Sequence, residues 1–315
     1  MTKMLADALV PIFAGLLLGF GAGRFQVMDN QNVRTLITFV MSFAVPSSLF
    51  LAIASAPRTA LREQAPTALL LAFVFALLYA ATFYWARAGI GLRSKDSSVL
   101  ALTLGFPNSA GVGLPLLASV FGPQSTVTVA ISLAVGSITV SPITLAILES
   151  SRGCSGNGLT LSGFGRSLIH SLKKPIVFAP LLGFAFSCAG LNLPSFAHRS
   201  LAVLGSAADG SALVLTGLVV SAQIFELGGN TWIAILLKNA IQPGLALGLA
   251  LLIHLSIEQA RYVTLISAMP CGFFGTVFGK SFGSTPKLAS SCLIASYIIG
   301  IASLAVWIVI VNNLR

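Results

Sequence analysis

Residues 102–117 read Leu102-Thr-Leu-Gly-Phe-Pro107-Asn108-Ser109-Ala-Gly111-Val-Gly113-Leu-Pro115-Leu-Leu. This run is apolar at both ends and rich in Pro, Gly and polar residues between them. Proline removes a backbone donor and clashes with the preceding helical turn, and glycine lowers helix stability. The stretch therefore predicts a membrane helix that is broken at mid-depth.

A second stretch, residues 266–283, repeats this pattern more weakly around Pro270, Cys271 and Gly272. The two stretches fall at matching places in the two halves of the chain. Unwound backbone is tolerated inside a membrane only where protein buries it or water reaches it. A matching pair of interrupted helices is therefore the best sequence indicator of a secondary transporter's substrate site.

The composition agrees with a multi-pass membrane protein. Of 315 residues, 56% are hydrophobic and 8% charged, and the mean hydropathy is +0.94. The net charge of +10 comes from scattered Lys and Arg rather than a basic stripe, so nucleic acid is not an expected partner. The four cysteines are widely spaced, and no metal-ligand spacing, phosphate loop or catalytic set occurs. We expect no metal, no cofactor and no enzymatic activity.

Apolar runs predict an all-α protein of ten transmembrane helices. The predicted spans are 5–23, 33–54, 66–86, 97–121, 125–148, 175–192, 198–225, 231–254, 260–282 and 285–311. Residues 1–148 would form a first repeat of five helices and residues 175–315 a second. The polar, basic segment 149–174 would link them.

The distribution of positive charge predicts the orientation of these spans. Twelve of the 18 Lys and Arg fall on the side of the membrane that holds the linker, and this excess marks the cytoplasmic side. Both termini would then lie outside a plasma membrane, the inner membrane of a bacterium. Five spans per half give the halves opposite polarity, which is the inverted repeat of many carriers, and the broken fourth and ninth spans would cross.

Asn108 and Ser109 are the strongest candidates for contact with a substrate. They precede Pro115, which suits the first turn of the second half-helix. Helix amino-termini carry partial positive charge and free N–H groups, so two of them facing each other could hold a carboxylate. The alternative is that Asn108 and Ser109 only cap the broken helix.

Other candidates flank these two. In span nine, Cys271 and Gly272 offer fewer hydrogen-bonding groups, and Gly272 could simply allow close packing. Span two has a proline kink with a hydroxyl at Pro46 and Ser47. Asp209 is the carboxylate deepest inside a predicted span and is the candidate for a coupling proton, unless span seven begins later and leaves it near the interface. Lys238 is predicted to lie near a span end.

Residues 105–122 resemble the fourth-span signature of the auxin efflux carrier family, whose members include plant auxin carriers and bacterial malonate and malate permeases. Val45-Pro46-Ser-Ser-Leu-Phe50, Met269-Pro270 and Ser211-Ala-Leu-Val-Leu-Thr-Gly217 are similar to its span-two, span-nine and span-seven motifs. The resemblance implies ten helices in two inverted repeats and transport of organic anions. It also places Pro107, Asn108, Pro115 and Pro270 at the crossover that holds substrate. Gly111, which lies between these residues, is a further candidate for substrate contact.

We therefore predict a secondary active transporter of small mono- or dicarboxylates that works by alternating access. Cys271-Gly272 and Asp209 depart from the plant pattern, so auxin is not the predicted substrate. A sodium-coupled organic anion symporter of the bile-acid type, a channel and a ligand sensor remain alternatives. The expected partners are the organic anion and the lipid bilayer, and a homodimer is left open.

Overall fold

A computed structural model describes residues 2–151, 169, 172–191 and 193–314. Within these ranges the regular structure is helical, as predicted, and β-type pairing is limited to one isolated bridge. Most of the predicted linker, together with Cys154 and His170, lies outside the described residues.

The described helices are α1 (Thr2–Arg24), α2 (Arg34–Ala54), α3 (Leu61–Gly89), α4 (Ser94–Gly105), α5 (Ser109–Phe121), α6 (Pro123–Ser150), α7 (Pro175–Ala189), α8 (Ser195–Ser221), α9 (Gly229–Leu252), α10 (Ile257–Ala268), α11 (Phe274–Ser281) and α12 (Lys287–Asn312). Of these, α1, α2, α3, α6, α8, α9 and α12 are long and apolar enough to cross a membrane. These seven fall short of the ten predicted spans because α4, α5, α7, α10 and α11 are each too short to cross alone.

Two predicted spans are interrupted where the prolines and glycines cluster. Span 97–121 is divided into α4 and α5, and span 260–282 into α10 and α11. The unwound residues 106–108 and 269–273 lie against each other in the interior. We call this pair of unwound segments the crossing.

Helix pairs on either side of the crossing pack backbone to backbone. The helix α1 packs along the second part of α8, where Gly19 and Gly217 are the points of closest approach. A Cβ atom on Gly217 would lie 2.0 Å from the carbonyl oxygen of Leu16, and one on Gly19 would lie 2.1 Å from that of Val214. Small residues are what allow membrane helices to approach this closely.

Many large apolar side chains face outward, among them Leu17, Leu69, Trp232 and Leu252. A protein surrounded by water rarely exposes so much apolar surface, whereas lipid tails match it. The interior contrasts with this surface, since Phe106 and Phe273 at the crossing are each 1% exposed. The crossing is thus the buried centre of a lipid-facing helical assembly.

Candidate functional site

The two unwound segments of the crossing pair with each other through their backbones. Pro107 and Cys271 form an antiparallel bridge, and the Asn108 N–H donates to the Pro270 carbonyl at 3.0 Å. Because both segments are unwound, these N–H and carbonyl groups have no hydrogen-bond partner within their own helix, and buried backbone polar groups must be paired. The proline-rich interruptions therefore satisfy each other.

Gly272 is required where the two segments approach most closely. Its N–H donates to the Phe106 carbonyl at 3.0 Å and to the Thr103 carbonyl at 3.2 Å. A Cβ atom at this position would lie 2.2 Å from the Phe106 oxygen, which no side chain can accommodate. Gly272 therefore allows the two segments to pack closely, which is the alternative to a binding role that the sequence offered.

The Asn108 side chain joins α5 to two distant helices. Its Oδ1 accepts from the Gly111 N–H at 3.0 Å, which caps α5. Its Nδ2 donates to Thr216 Oγ1 of α8 at 3.0 Å and to the Tyr297 hydroxyl of α12 at 2.6 Å. Asn108 is 1% exposed, so in this conformation its amide is engaged by protein groups on both sides.

The neighbouring candidates on α5 are packed as well. Ser109 Oγ lies 2.8 Å from Ser132 Oγ of α6, and both residues are buried. A Cβ atom on Gly111 would lie 2.4 Å from Thr216 Oγ1. The helix α5 begins at Ser109, six residues before Pro115, because the Asn108 cap supports an initial π-helical turn. Pro115 then occupies the start of the regular α-helical part.

The candidates on span nine are held by α12. The Cys271 N–H donates to Ser296 Oγ at 3.0 Å, and its carbonyl accepts from the Tyr297 hydroxyl at 3.2 Å. Pro270 packs against Gly300, where a Cβ atom would lie 3.1 Å from the proline ring. Tyr297 therefore contacts both arms of the crossing, through Asn108 on one side and Cys271 on the other.

In span two, Pro46 and Ser47 are buried within α2, directly after a π-helical turn at Val40–Ala44. The Ser47 hydroxyl donates to the Phe43 carbonyl at 2.7 Å and so makes a local helix bond. Span seven approaches the same place, since a Cβ atom on Gly205 would lie 3.1 Å from Ser48 Cα. Spans two and seven therefore contact each other in the structure.

Asp209 is exposed on α8, two residues after a turn at Ala207 that interrupts this helix. It lies near the middle of the long α8 rather than at its start. The structure therefore separates Asp209 from the crossing and leaves its carboxylate accessible from outside the protein.

A cavity of about 200 Å³ lies beside the crossing. Its surface is predominantly apolar and aromatic, and three serines and one lysine are among the lining residues: Ile37, Met41, Ser42, Phe106, Ser137, Ser141, Lys174, Pro175, Ile176, Phe273, Phe274, Val277 and Phe278. Asn108 and Ser109 are not among the described residues that line it. The aromatic side chains next to the two interruptions face this space, whereas the predicted polar pair faces away from it.

Lys174 gives this cavity a positive charge. Its ammonium lies 4.4 Å from the centre of the Phe278 ring, a cation–π distance. Burial lowers the pKa of the Lys174 ammonium, which lies just before α7. Lysine in a cavity lined by apolar and hydroxyl groups is suited to bind an anion.

The amino end of α11 adds to the positive potential that Lys174 gives the cavity. The helix begins at Phe274, and the preceding residue, Phe273, has no side chain that can cap it. Both residues line the cavity. The start of a helix carries partial positive charge and unpaired N–H groups, which attract anions. Of the two half-helix starts at the crossing, that of α11 is thus uncapped and that of α5 is capped by Asn108.

Lys238 does not lie near a span end, so that prediction is wrong. It lies within α9 in a π-helical turn, Leu237–Ile241, and is 0% exposed. Its ammonium donates to Gln242 Oε1 at 2.5 Å and to the Ser267 carbonyl at 3.1 Å. The signal was present in the sequence, since Lys238, Asn239 and Gln242 share one face of an otherwise apolar helix.

Comparison with known proteins gives matches over nearly the whole chain. A family model described as "Membrane transport protein" matches residues 4–156 and 159–308. The uncharacterized transporter YfdV of Escherichia coli strain K12 is 25% identical over 304 residues, covering 95% of this chain and 95% of the relative. An uncharacterized transporter of Methanothermobacter thermautotrophicus is 23% identical over 305 residues, covering 96% and 97%. Auxin efflux carrier component 8 of Arabidopsis thaliana is 21% identical over 350 residues, covering 94% of each chain.

Proposed function

Because this chain belongs to the membrane transport protein family that includes the auxin efflux carriers, we propose that it is a secondary transporter of small organic anions. Membership confirms the family resemblance of residues 105–122. Transport is the activity that the names of these relatives share. The substrate class, the mechanism and the orientation are our proposal.

The proposed architecture is ten membrane passes in two inverted repeats, 1–148 and 175–315, with α4 plus α5 and α10 plus α11 as broken passes. Matching contacts in the two halves support it. The pairs α3 with α4 and α9 with α10 pack alike, as do α4 with α6 and α10 with α12. The packing of α1 on α8 is likewise matched by that of α7 on α2. By the charge distribution, both termini lie outside the plasma membrane.

The observation that carries the proposed substrate class is the cavity beside the crossing. It combines the Lys174 cation and the uncapped start of α11 with predominantly apolar, aromatic walls. Its volume of about 200 Å³ is below the roughly 300–1,000 Å³ of drug-sized ligand sites. A small mono- or dicarboxylate fits both the charge and the size.

Alternating access requires the crossing to change its contacts as the substrate passes. We propose that Asn108 exchanges its bonds to Thr216 and Tyr297 for the substrate carboxylate in another state of the cycle. Its three side-chain hydrogen bonds join α5, α8 and α12, which are the elements that would move relative to one another. Ser109, Pro107, Pro115, Pro270 and Cys271 would then shape the path rather than provide charge.

Asp209 is the proposed carrier of a coupling proton. Its exposed position on α8, next to a helix interruption, gives it access to water or headgroups from outside the protein. Isolated carboxylates within membrane helices commonly mark proton pathways. Proton-driven accumulation should fail in Asp209→Asn, and accumulation equal to that of the wild type would remove Asp209 from coupling.

The proposed function is tested by uptake of labelled malonate, malate and related acids into proteoliposomes. A carrier should show saturable uptake and counterflow, and Lys174→Gln should reduce both. Lys173→Gln is the matched control, because Lys173 is the exposed neighbour and does not line the cavity. Continuous conductance without counterflow would indicate a channel, binding without flux a sensor, and strict sodium dependence the symporter alternative.

A further inference from the structure

Lys238 is a charged side chain in the interior of a membrane protein. It is 0% exposed and lies midway along α9, among the largest fully buried side chains of the described residues. Burying an ammonium is strongly unfavourable unless opposite charge or well-placed dipoles compensate it. The contacts of Lys238 must therefore supply that compensation.

Those contacts lead to the carboxyl ends of both interrupted helices. The Lys238 ammonium donates directly to the Ser267 carbonyl, in the last turn of α10. It also donates to Gln242 Oε1, and Gln242 Nε2 donates in turn to the carbonyl of Gly105, the last residue of α4, at 3.2 Å. One cation thus serves the two helix ends that meet at the crossing.

The charge of these two ends matches one cation. The carboxyl end of a helix carries roughly half a negative charge on its unpaired carbonyl groups, so two ends together carry roughly one. Lys238 has no carboxylate partner within 4.0 Å among the described residues. Two further oxygens, Oδ1 of the next residue Asn239 and Oγ of the acceptor residue Ser267, are buried without a hydrogen-bond partner among the described residues.

We infer that Lys238 is a built-in cation: its ammonium neutralises the carboxyl ends of α4 and α10, so the crossing needs no bound metal cation. Without Lys238, Gln242 Oε1 and the Ser267 carbonyl would lose the donor that they share, while the Gly105 carbonyl would keep only the neutral Gln242 amide. Carbonyl oxygens at the carboxyl ends of half-helices are the groups that coordinate sodium in many carriers. The lysine therefore occupies the position of a coupling cation.

One consequence of this inference, that transport is independent of sodium, rests on the proposed transport function. The stability of the crossing is a separate consequence and requires no substrate. Removing the ammonium should destabilise the protein, and a free ammonium of the right size should restore it. Thermal unfolding of the purified protein in detergent measures both effects.

The test compares wild type, Lys238→Ala and Lys280→Ala in choline chloride. Lys280 is an exposed lysine that also donates to a backbone carbonyl, that of Gln31, and serves as the control. We expect Lys238→Ala to lower the Tm by several degrees and propylammonium, which replaces the missing part of the side chain, to recover the loss in a saturable way. Neutral 1-propanol should not recover the loss of Tm. The Tm of Lys280→Ala should change with neither compound.

Equal recovery by 1-propanol would overturn the inference, because Lys238 would then act through packing alone. An unchanged Tm in Lys238→Ala would overturn it as well. If Lys238→Ala does not fold, the sodium dependence of the wild-type Tm still tests the inference. Replacing choline with sodium should leave its Tm unchanged, and a saturable rise in Tm with sodium would show that the crossing binds a metal cation after all.

Discussion

Substitution of Asn108 by alanine removes the side chain that connects the arms of the crossing to α8 and α12. Three hydrogen bonds are lost, from Gly111 N–H and to the Thr216 and Tyr297 hydroxyls. At about 1 kcal/mol net for each bond, Asn108→Ala should lower the free energy of unfolding by ~3 kcal/mol. Thr216 and Tyr297 keep their own donor bonds, to the Ala212 and Cys271 carbonyls, which holds the loss near that value.

Denaturant unfolding in detergent micelles measures this loss, with Ser109→Ala as the matched neighbour. Ser109 is equally buried but has one side-chain hydrogen bond, to Ser132, so its removal should cost about 1 kcal/mol. A double-mutant cycle with Tyr297→Phe should give a coupling energy of about 0.5–3 kcal/mol, as for residues in direct contact. If Asn108→Ala is no more destabilising than Ser109→Ala, or the cycle shows no coupling, Asn108 does not hold the crossing together.

Two further substitutions test the geometry of the crossing and the charge of the cavity. Gly272→Ala places a Cβ atom 2.2 Å from the Phe106 oxygen and should sharply reduce the yield of folded protein in gel filtration. Gly248→Ala on α9 is the control and should fold normally, because its Cβ atom would have no atom within 4 Å. Equal yields of the two variants would contradict the close approach at Gly272. Lys174 attracts an anion only when protonated, so malonate affinity should fall as the pH rises through the lowered pKa of Lys174. Lys174→Gln should bind about tenfold more weakly, the effect of one charge-assisted hydrogen bond, and show no such pH step by calorimetry; an unchanged pH profile would exclude Lys174 from the site.

The interruptions could be predicted from the sequence because their causes are local. Pro107 and Pro270 each remove a backbone donor, and the glycines around them weaken the helix. The start of α5 could not be fixed in the same way. Proline favours a first helical turn, which suggested Pro115, but the Asn108 cap starts the helix earlier.

The remaining features of the site depend on residues distant in sequence. Asn108 is 189 positions from Tyr297, and no local pattern indicates that their side chains meet. Lys174 ends the polar segment that the sequence predicts to be a linker, yet it lines the cavity because α7 packs against α2. Lys238 seemed to belong near a span end because an unpaired charge is costly in a membrane, and its partners come from two other helices.

The central claim is that small organic anions bind in the cavity beside the crossing. The most direct measurement is an experimental structure of the wild-type protein with the acid that binds it most tightly. We expect density for the acid in this cavity, against the stacked Phe106 and Phe274 rings, with a carboxylate directed toward Lys174 and the start of α11. Density for the acid elsewhere, with this cavity empty, would contradict the account.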